Sequence, residues 1–358
     1  MLRTILKIPF NYLGRFLNFP FVLPISIAFA VTYRCNSRCK TCNIWKYPSN
    51  EEMNLNEINR LFRSLGNSFS WITLSGGEPF LRDDLTEICR IIYSNCHPYF
   101  INIATNGSLP DRVITCVKKI LKDCPKTKLT INLSIDGIGE NHDNTRGLPG
   151  NFDSFKKTYH GLKSLKTNRL RLGLYTILSD YNISGWEGIF AFGKELSPDS
   201  HFFEIAQIRD EFKNQGLNQF MSSKGQGIEF FKKLYSFKNT DKNGVGEYLI
   251  HALRISYYSV VSKTIFLNRQ IIPCFAAFAT CYILPDGKVW ACSNRERIMD
   301  DLREYKLDFR KLWRSKDSQR IREYIKKEKC FCLQANANYL NLLHSPTYLT
   351  KLIYSYLQ

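Results

Sequence analysis

Residues 25–42 read ISIAFAVTYRCNSRCKTC, a short apolar, β-branched run that passes at once into three cysteines, Cys35, Cys39 and Cys42. Such a run is strand-like, and the thiols sit just beyond its end. Similar runs recur at 71–75, 98–104, 128–135, 169–178 and 202–207. Helix-like segments at 55–65, 83–95, 110–123 and 152–166 separate the first five. Asn54 and Asp83 stand where two of these helices need N-caps. Repeated strand–helix units predict an α/β fold with a parallel sheet. Six strands suit a partial (β/α)6 TIM-like barrel better than the closed barrel of eight. In such folds the chemistry gathers at the C-terminal ends of the strands, which is where the three cysteines fall.

Spacing alone leaves two readings of these thiols. They can wrap three corners of an iron–sulfur cubane and leave one iron open, or supply three quarters of a zinc site. The chain has 358 residues and twelve cysteines, eight of them in two groups, Cys35/Cys39/Cys42 and Cys274/Cys281/Cys292/Cys330/Cys332. A long chain with grouped thiols is not a small extracellular disulfide scaffold; it points to metal or redox chemistry in a reducing, cytoplasmic setting. Cys89, Cys96, Cys116 and Cys124 read as small buried apolar residues. The formal net charge of +18 fits an anionic partner or a solvated basic surface. Nucleic acid is not expected, because no RNA-binding module or aromatic-basic signature accompanies the charge.

The second strand ends in Ser75-Gly76-Gly77-Glu78-Pro79. Glycines there let backbone approach a ligand closely, and Glu78 offers an acceptor to an ammonium. The C-x3-C-x2-C spacing after strand one, with this motif on strand two, resembles the radical S-adenosylmethionine superfamily. The resemblance implies that Cys35, Cys39 and Cys42 hold a [4Fe–4S] cluster, and that Gly76, Gly77, Glu78 and Pro79 receive the methionyl amino group of S-adenosylmethionine. Further strand ends carry Thr105-Asn106-Gly107, Ser134-Ile135-Asp136-Gly137 and, just beyond, Asp143-Asn144-Thr145-Arg146-Gly147. Family members use polar groups at these places for the ribose and the methionyl carboxylate. By resemblance Asn106 joins this set, Ser134 and Asp136 serve the ribose, and Arg146 takes the carboxylate, which suits a guanidinium fork. Thr176 through Asn182 are expected to line the adenine with backbone. Many members carry an aromatic before the third cysteine. Thr41 stands there instead, with Ile44 or Trp45 as substitutes from the far side.

The second cysteine group surrounds a hairpin, CYIL–PDG–KVWAC, that turns at Asp286-Gly287. It resembles the SPASM extension, or its shorter twitch form, which binds auxiliary iron–sulfur clusters. That resemblance implies one auxiliary [4Fe–4S] cluster on Cys274, Cys292, Cys330 and Cys332, with Cys281 a spare or alternate ligand. The chain then divides into a basic amphipathic leading segment (1–24), the barrel core (25–210), a helical connector (211–270), the auxiliary-cluster domain (271–335) and an apolar tail (336–358). The connector has helix-like stretches around 226–237 and 246–262. No stretch reads as a transmembrane helix. Arg15 interrupts the apolar start, and Pro9, Pro20 and Pro24 are expected to break any helix there. Residues 2–19 either lie on a membrane surface, making the protein peripheral to the membrane, or pack across the bottom of the core.

The resemblance implies reductive cleavage of S-adenosylmethionine to a 5′-deoxyadenosyl radical that abstracts hydrogen from a peptide or small-metabolite substrate. It also implies an electron donor such as flavodoxin or ferredoxin. A lipid or membrane-associated substrate is a second reading, motivated by the leading segment and the Leu/Tyr-rich tail 339–357. A non-catalytic Fe–S or zinc-binding protein is a third, which the strand-end motifs oppose. No residue is identified as the group that quenches the substrate radical.

Overall fold

The structure, a computed structural model, describes residues 2–215, 230, 245–330 and 332–350. Six parallel strands follow in chain order: β1 (Ser26–Thr32), β2 (Trp71–Gly76), β3 (Phe100–Thr105), β4 (Lys128–Ser134), β5 (Leu170–Leu178) and β6 (Ser200–Ile205). The helices between them are α2 (Leu55–Leu65), α3 (Leu85–Cys96), α4 (Pro110–Asp123), α5 (Glu140–Arg146), α6 (Asn151–Lys163) and α7 (Trp186–Leu196). Strand alternation builds the core. Ile72 and Leu74, Ile101 and Ile103, and Leu129, Ile131 and Leu133 are buried in one cluster with Leu61, Phe62, Ile88 and Val117 of the helices. The intervening Thr73, Asn102, Thr130 and Asn132 line the other face and are only partly buried. The open, six-strand parallel arrangement is the partial barrel predicted above.

Local signals account for most boundaries. Asn54 caps α2 as a capping box: its side chain accepts from the N–H groups of Asn56 and Glu57, both at 3.0 Å, and Glu57 accepts from the Asn54 N–H. Asp83 does not cap α3. The N-cap is Asp84, without a capping bond; Asp84 pairs with Arg82 at 2.7 Å, and Asp83 pairs with Arg112 at 2.6 Å.

The leading segment also departs from expectation. Residues Leu2–Leu17 form one helix, α1, with Pro9 inside it. Proline in a helix interior removes a backbone hydrogen bond, but the polar side chains of α1 fasten it to the body of the protein along its length, as described below. Among the described residues no helix is long and apolar enough to cross a membrane.

The hairpin forms as predicted, β7 (Thr280–Ile283) pairing antiparallel with β8 (Lys288–Trp290), and Gly287 takes φ +93° at the turn. Its placement was not foreseen. β7 runs parallel to β1, with Ser26 opposite Thr280, and β9 (Ile298–Asp301) follows β8, so barrel and extension share one nine-stranded sheet. The connector contains α8 (Val245–Leu267); the stretch 226–237 lies outside the described residues except for Phe230. Beyond the hairpin come α9 (Phe309–Trp313), α10 (Lys316–Lys327) and α11 (Ala335–Leu343). The apolar tail is partly core: Leu340 and Leu342 are buried, and Tyr339 packs on Phe202 and Tyr257. Residues 351–358 of the tail lie outside the described ones.

Candidate functional site

The loop bearing Cys35, Cys39 and Cys42 leaves the C-terminal end of β1 and is gripped from three sides. From β2, the Gly77 N–H donates to the Thr32 carbonyl (2.8 Å) and the Glu78 N–H to the Arg34 carbonyl (2.9 Å). A β-carbon at Gly77 would collide with the Arg34 carbonyl, and one at Gly76 with that of Thr32; this close approach is what the glycine pair permits. From the end of β3, the Asn106 amide donates to Asn36 Oδ1 (2.8 Å) and Ser37 Oγ (2.9 Å). From α5, the carbonyls of Arg146 and Thr145 accept from the N–H groups of Arg38 and Lys40, each at 3.0 Å. Gly147, at φ +58°, lies where a β-carbon would strike the Arg38 backbone.

Glu78 is buried beneath this loop. Its carboxylate accepts from the N–H of Phe80 (3.1 Å), the hydroxyl of Thr105 (2.9 Å) and the N–H of Asn106 (2.7 Å). Burial raises its pKa, and these donors, together with Arg146, oppose the rise. Arg146 pairs with Asp136 at 3.0 Å, and its Nε is buried without a partner. Burial would lower the Arg146 pKa, but Cys39 and Asp136 beside it carry the balance upward. Asp136 is fixed by its other oxygen, which accepts from the Ile177 N–H (2.8 Å), and by His142, which accepts from the Asp136 N–H (3.1 Å). His142 in turn meets Asn151, whose amide donates to the Asn106 carbonyl. The strand ends are thus tied to one another behind the cysteine loop.

Burial pushes the thiols up, Cys35 to about 11, and those of Cys39 and Cys42 also rise. Arg146 lies near enough to Cys35 and Cys39 to favour their ionised forms. Buried thiols beside a cation, half open at the mouth, form a donor set that a metal cluster would ionise. Arg146 lies near enough to Glu78 to act on its charge, and both act on Cys35. The residues present fit a thiolate-held cluster with an amino-acid moiety beside it.

Other sequence-predicted residues are placed as follows. Pro79 opens the short 3-10 turn after Glu78. Ser134 ends β4 beside Tyr175. The Thr176 hydroxyl donates to the Ile135 carbonyl (2.7 Å) and meets His201, so its side chain is committed to the helix side of the sheet. Asn182 is buried and donates to the carbonyls of Asp136 and Ile177. Ile44 is buried in an apolar layer with Tyr33, Tyr282 and Trp290, against which Cys35 and Cys42 pack. Trp45 is covered by Arg38, 4.3 Å from its ring.

The second group also assembles. Cys274, Cys292, Cys330 and Cys332 each feel at least one of the other three electrostatically, and Cys274, Cys330 and Cys332 line one small hollow with Asn338 and Asn341. Cys281 stands apart. It lies on the core face of β7 and is fully buried, with Arg322 as its charged neighbour. Among the described residues no three His, Cys, Asp or Glu side chains draw tightly around a single point.

Sequence reading missed a polar network between the two thiol groups. Glu204, on β6, accepts from the Tyr175 hydroxyl and pairs with Arg209. Glu211 accepts from the Tyr282 hydroxyl. Gln207 Oε1 accepts from the Leu333 N–H (3.0 Å), next to Cys332, and from Asn294 (3.4 Å). Gln207 Nε2, Arg209 Nε, Asn294 Oδ1 and Trp290 Nε1 are buried without partners. A glutamate inside the otherwise apolar run FFEIA was the available signal.

These features define an open parallel α/β barrel with a thiol-bearing loop at its strand ends and a second thiol group in the extension. Residues 29–193 match the Radical SAM superfamily, and residues 274–334 match the SPASM iron–sulfur cluster-binding domain. The chain thus carries a radical S-adenosylmethionine domain and a SPASM domain; it is an enzyme, and its cofactors are a [4Fe–4S] cluster, S-adenosylmethionine and auxiliary Fe–S centres. It is 26% identical to an AdoMet-dependent heme synthase of Methanosarcina barkeri over 310 residues, covering 81% of this chain and 82% of that protein. It is 25% identical to a probable GTP 3′,8-cyclase of Methanococcus maripaludis over 296 residues, covering 78% and 92%. Among solved structures, Streptococcus suis SuiB bound to its precursor peptide SuiA superposes with a TM-score of 0.60 at 12% identity, covering 89% of this chain and 70% of that one. The anSMEcpe structure with AdoMet and a peptide superposes with a TM-score of 0.60 at 17% identity, covering 93% and 99%.

Proposed function

We propose that the enzyme cleaves S-adenosylmethionine reductively at a cluster on Cys35, Cys39 and Cys42 and abstracts a hydrogen atom from a peptide or small-metabolite substrate. When bound, the cofactors supply an electron and a 5′-deoxyadenosyl radical. The chain supplies orientation. Glu78 accepts from the methionyl ammonium, Arg146 binds the carboxylate, Ser134 and Asp136 face the ribose, and the backbone of 176–182 flanks the adenine. Cys274, Cys292, Cys330 and Cys332 hold one auxiliary cluster. An electron donor such as flavodoxin or ferredoxin reduces the enzyme.

The observation that carries this reading is the convergence of Glu78, Asp136 and Arg146 on the gripped cysteine loop. The orphaned polar atoms of Gln207, Arg209, Asn294 and Trp290 support a polar substrate held between the two thiol groups, since buried polar atoms are rarely left unpaired without a role. The peptides named with SuiB and anSMEcpe, which share this fold, favour a peptide over other polar substrates. The test is anaerobic reconstitution and assay of 5′-deoxyadenosine. The Cys35→Ala/Cys39→Ala/Cys42→Ala variant should form none; a nucleoside yield equal to wild type would end the proposal.

A further inference from the structure

Helix α1 is built inside out. Its inward stripe is polar, at positions 4, 7, 11, 15 and 18, the spacing of one helix face. Each of these side chains is tied to the body of the protein. Thr4 bonds Ser70 (2.6 Å). Lys7 donates to the carbonyls of Leu23 (2.9 Å) and Ser68. Asn11 is buried and meets His344 (3.1 Å). Arg15 donates to the Cys274 carbonyl (3.0 Å), and Asn18, just past the helix, donates to Glu323 (3.0 Å).

The outward face is apolar. Ile5, Leu6, Phe10, Leu13, Phe16 and Leu17 are 43–79% exposed. A surface helix of a globular protein ordinarily shows the reverse arrangement. A contiguous exposed apolar face of this kind marks an interaction site.

Charge selects the partner. Residues 2–24 contain three basic residues, Arg3, Lys7 and Arg15, and no aspartate or glutamate, with Lys7 and Arg15 on the inward stripe. At the rim of the face, Lys326 of α10 donates to the Phe16 carbonyl (3.0 Å), with the exposed Lys327 next to it. A second copy of the chain would bring the same positive charge, +18 in all, against this face, which opposes self-association. An anionic bilayer matches both the apolar face and its basic surroundings.

We propose that α1 is a monotopic anchor that docks the protein on an anionic lipid surface, its outward side chains entering the boundary between headgroups and acyl chains. The anchor packs where β1 and β2 begin, against Leu23, Ser68 and Ser70. The cysteine loop lies at the opposite ends of those strands. Docking through α1 therefore leaves the strand-end mouth turned away from the lipid, and the anchor sets location without requiring a lipid substrate.

The test is flotation of the full-length protein with vesicles of phosphatidylcholine containing phosphatidylglycerol, and with phosphatidylcholine alone. Wild type should partition onto the anionic vesicles and come off as salt rises. Phe10→Ser/Leu13→Ser/Phe16→Ser should reduce that partitioning by about tenfold or more. All three side chains face outward, so iron content and thermal midpoint should be unchanged. In an independent variant, Phe16→Trp, the emission should shift to the blue when anionic vesicles are added. The proposal fails if wild type does not float, if the triple-serine variant floats equally well, if the tryptophan emission does not move, or if light scattering finds a dimer that the serine variant dissociates.

Discussion

Glu78 shows what one side chain does at this site. Its buried carboxylate accepts from Phe80, Thr105 and Asn106 and so joins the ends of β2 and β3; in the function proposed above it also receives the methionyl ammonium. A carboxamide cannot do this, because whichever end carried its NH2 would present N–H to the backbone N–H of Phe80 or of Asn106. Glu78→Gln should therefore cost about 1–3 kcal/mol of stability, the usual penalty of an unmade buried hydrogen bond. It should also weaken S-adenosylmethionine binding by about tenfold, the order expected when a charge-assisted bond is lost. Calorimetric titration of the reconstituted variant, with a thermal melt beside it, checks both; undiminished affinity would remove Glu78 from the binding set. The glutamate was legible in the sequence because its glycine neighbours and strand end form a local pattern. Asn106 was legible only as a polar group at a strand end. That its amide is spent on Asn36 and Ser37 depends on contacts between residues about seventy positions apart, which no spacing reveals.

Among the elements, those with a local code were the readable ones. α2 and α4 carry amphipathic repeats bounded by a capping residue or an N-terminal proline, and their limits match the pattern in the sequence. α1 was misread because Pro9 argues against a helix, whereas the helix is held by long-range bonds from its polar stripe. One of those bonds carries a pH dependence. The Leu340 carbonyl can only accept, so Nδ1 of His344 is its donor (2.7 Å) and Nε2 accepts from Asn11 of α1. The ring is buried and stacked on Phe275, and burial lowers its pKa to about 4 from the ordinary 6.5. Between those values the unfolded chain binds a proton that the folded chain does not. The contribution is therefore fully present above pH 6.5 and is lost as pH falls toward 4. From pH 7 to pH 5 the loss attributable to His344 should be about 2 kcal/mol. Urea unfolding at the two pH values should show a smaller acid penalty for His344→Gln than for wild type. An identical penalty would place the acid sensitivity elsewhere.

At the scale of the whole molecule, one sheet carries two thiol sets. The first stands at the end of β1. The second gathers from the approach to β7 (Cys274), the end of the hairpin (Cys292) and the link between α10 and α11 (Cys330 and Cys332). The sequence showed both sets but not that β7 continues the barrel sheet beside β1, because strand pairing across about 250 residues leaves no local trace. Cys281 illustrates the consequence. By proximity in sequence it belongs with the second set, but strand alternation turns it into the core while its chain neighbour Tyr282 faces Glu211. The two sets share no residue, so under the ligand assignment proposed above each should load iron without the other. The Cys35→Ala/Cys39→Ala/Cys42→Ala variant should stay brown and keep about four irons. Adding Cys274→Ala and Cys292→Ala should remove them, whereas Cys281→Ala in wild type should leave the iron count unchanged. S-adenosylmethionine should perturb the cluster spectrum of wild type and not that of the first triple variant, because a cluster ligated by four thiolates has no open iron. A colourless triple variant holding one zinc would make the second set a structural site with thiolates at about 2.3 Å from the metal. Iron analysis, zinc analysis and the visible spectrum of the same preparations separate these outcomes.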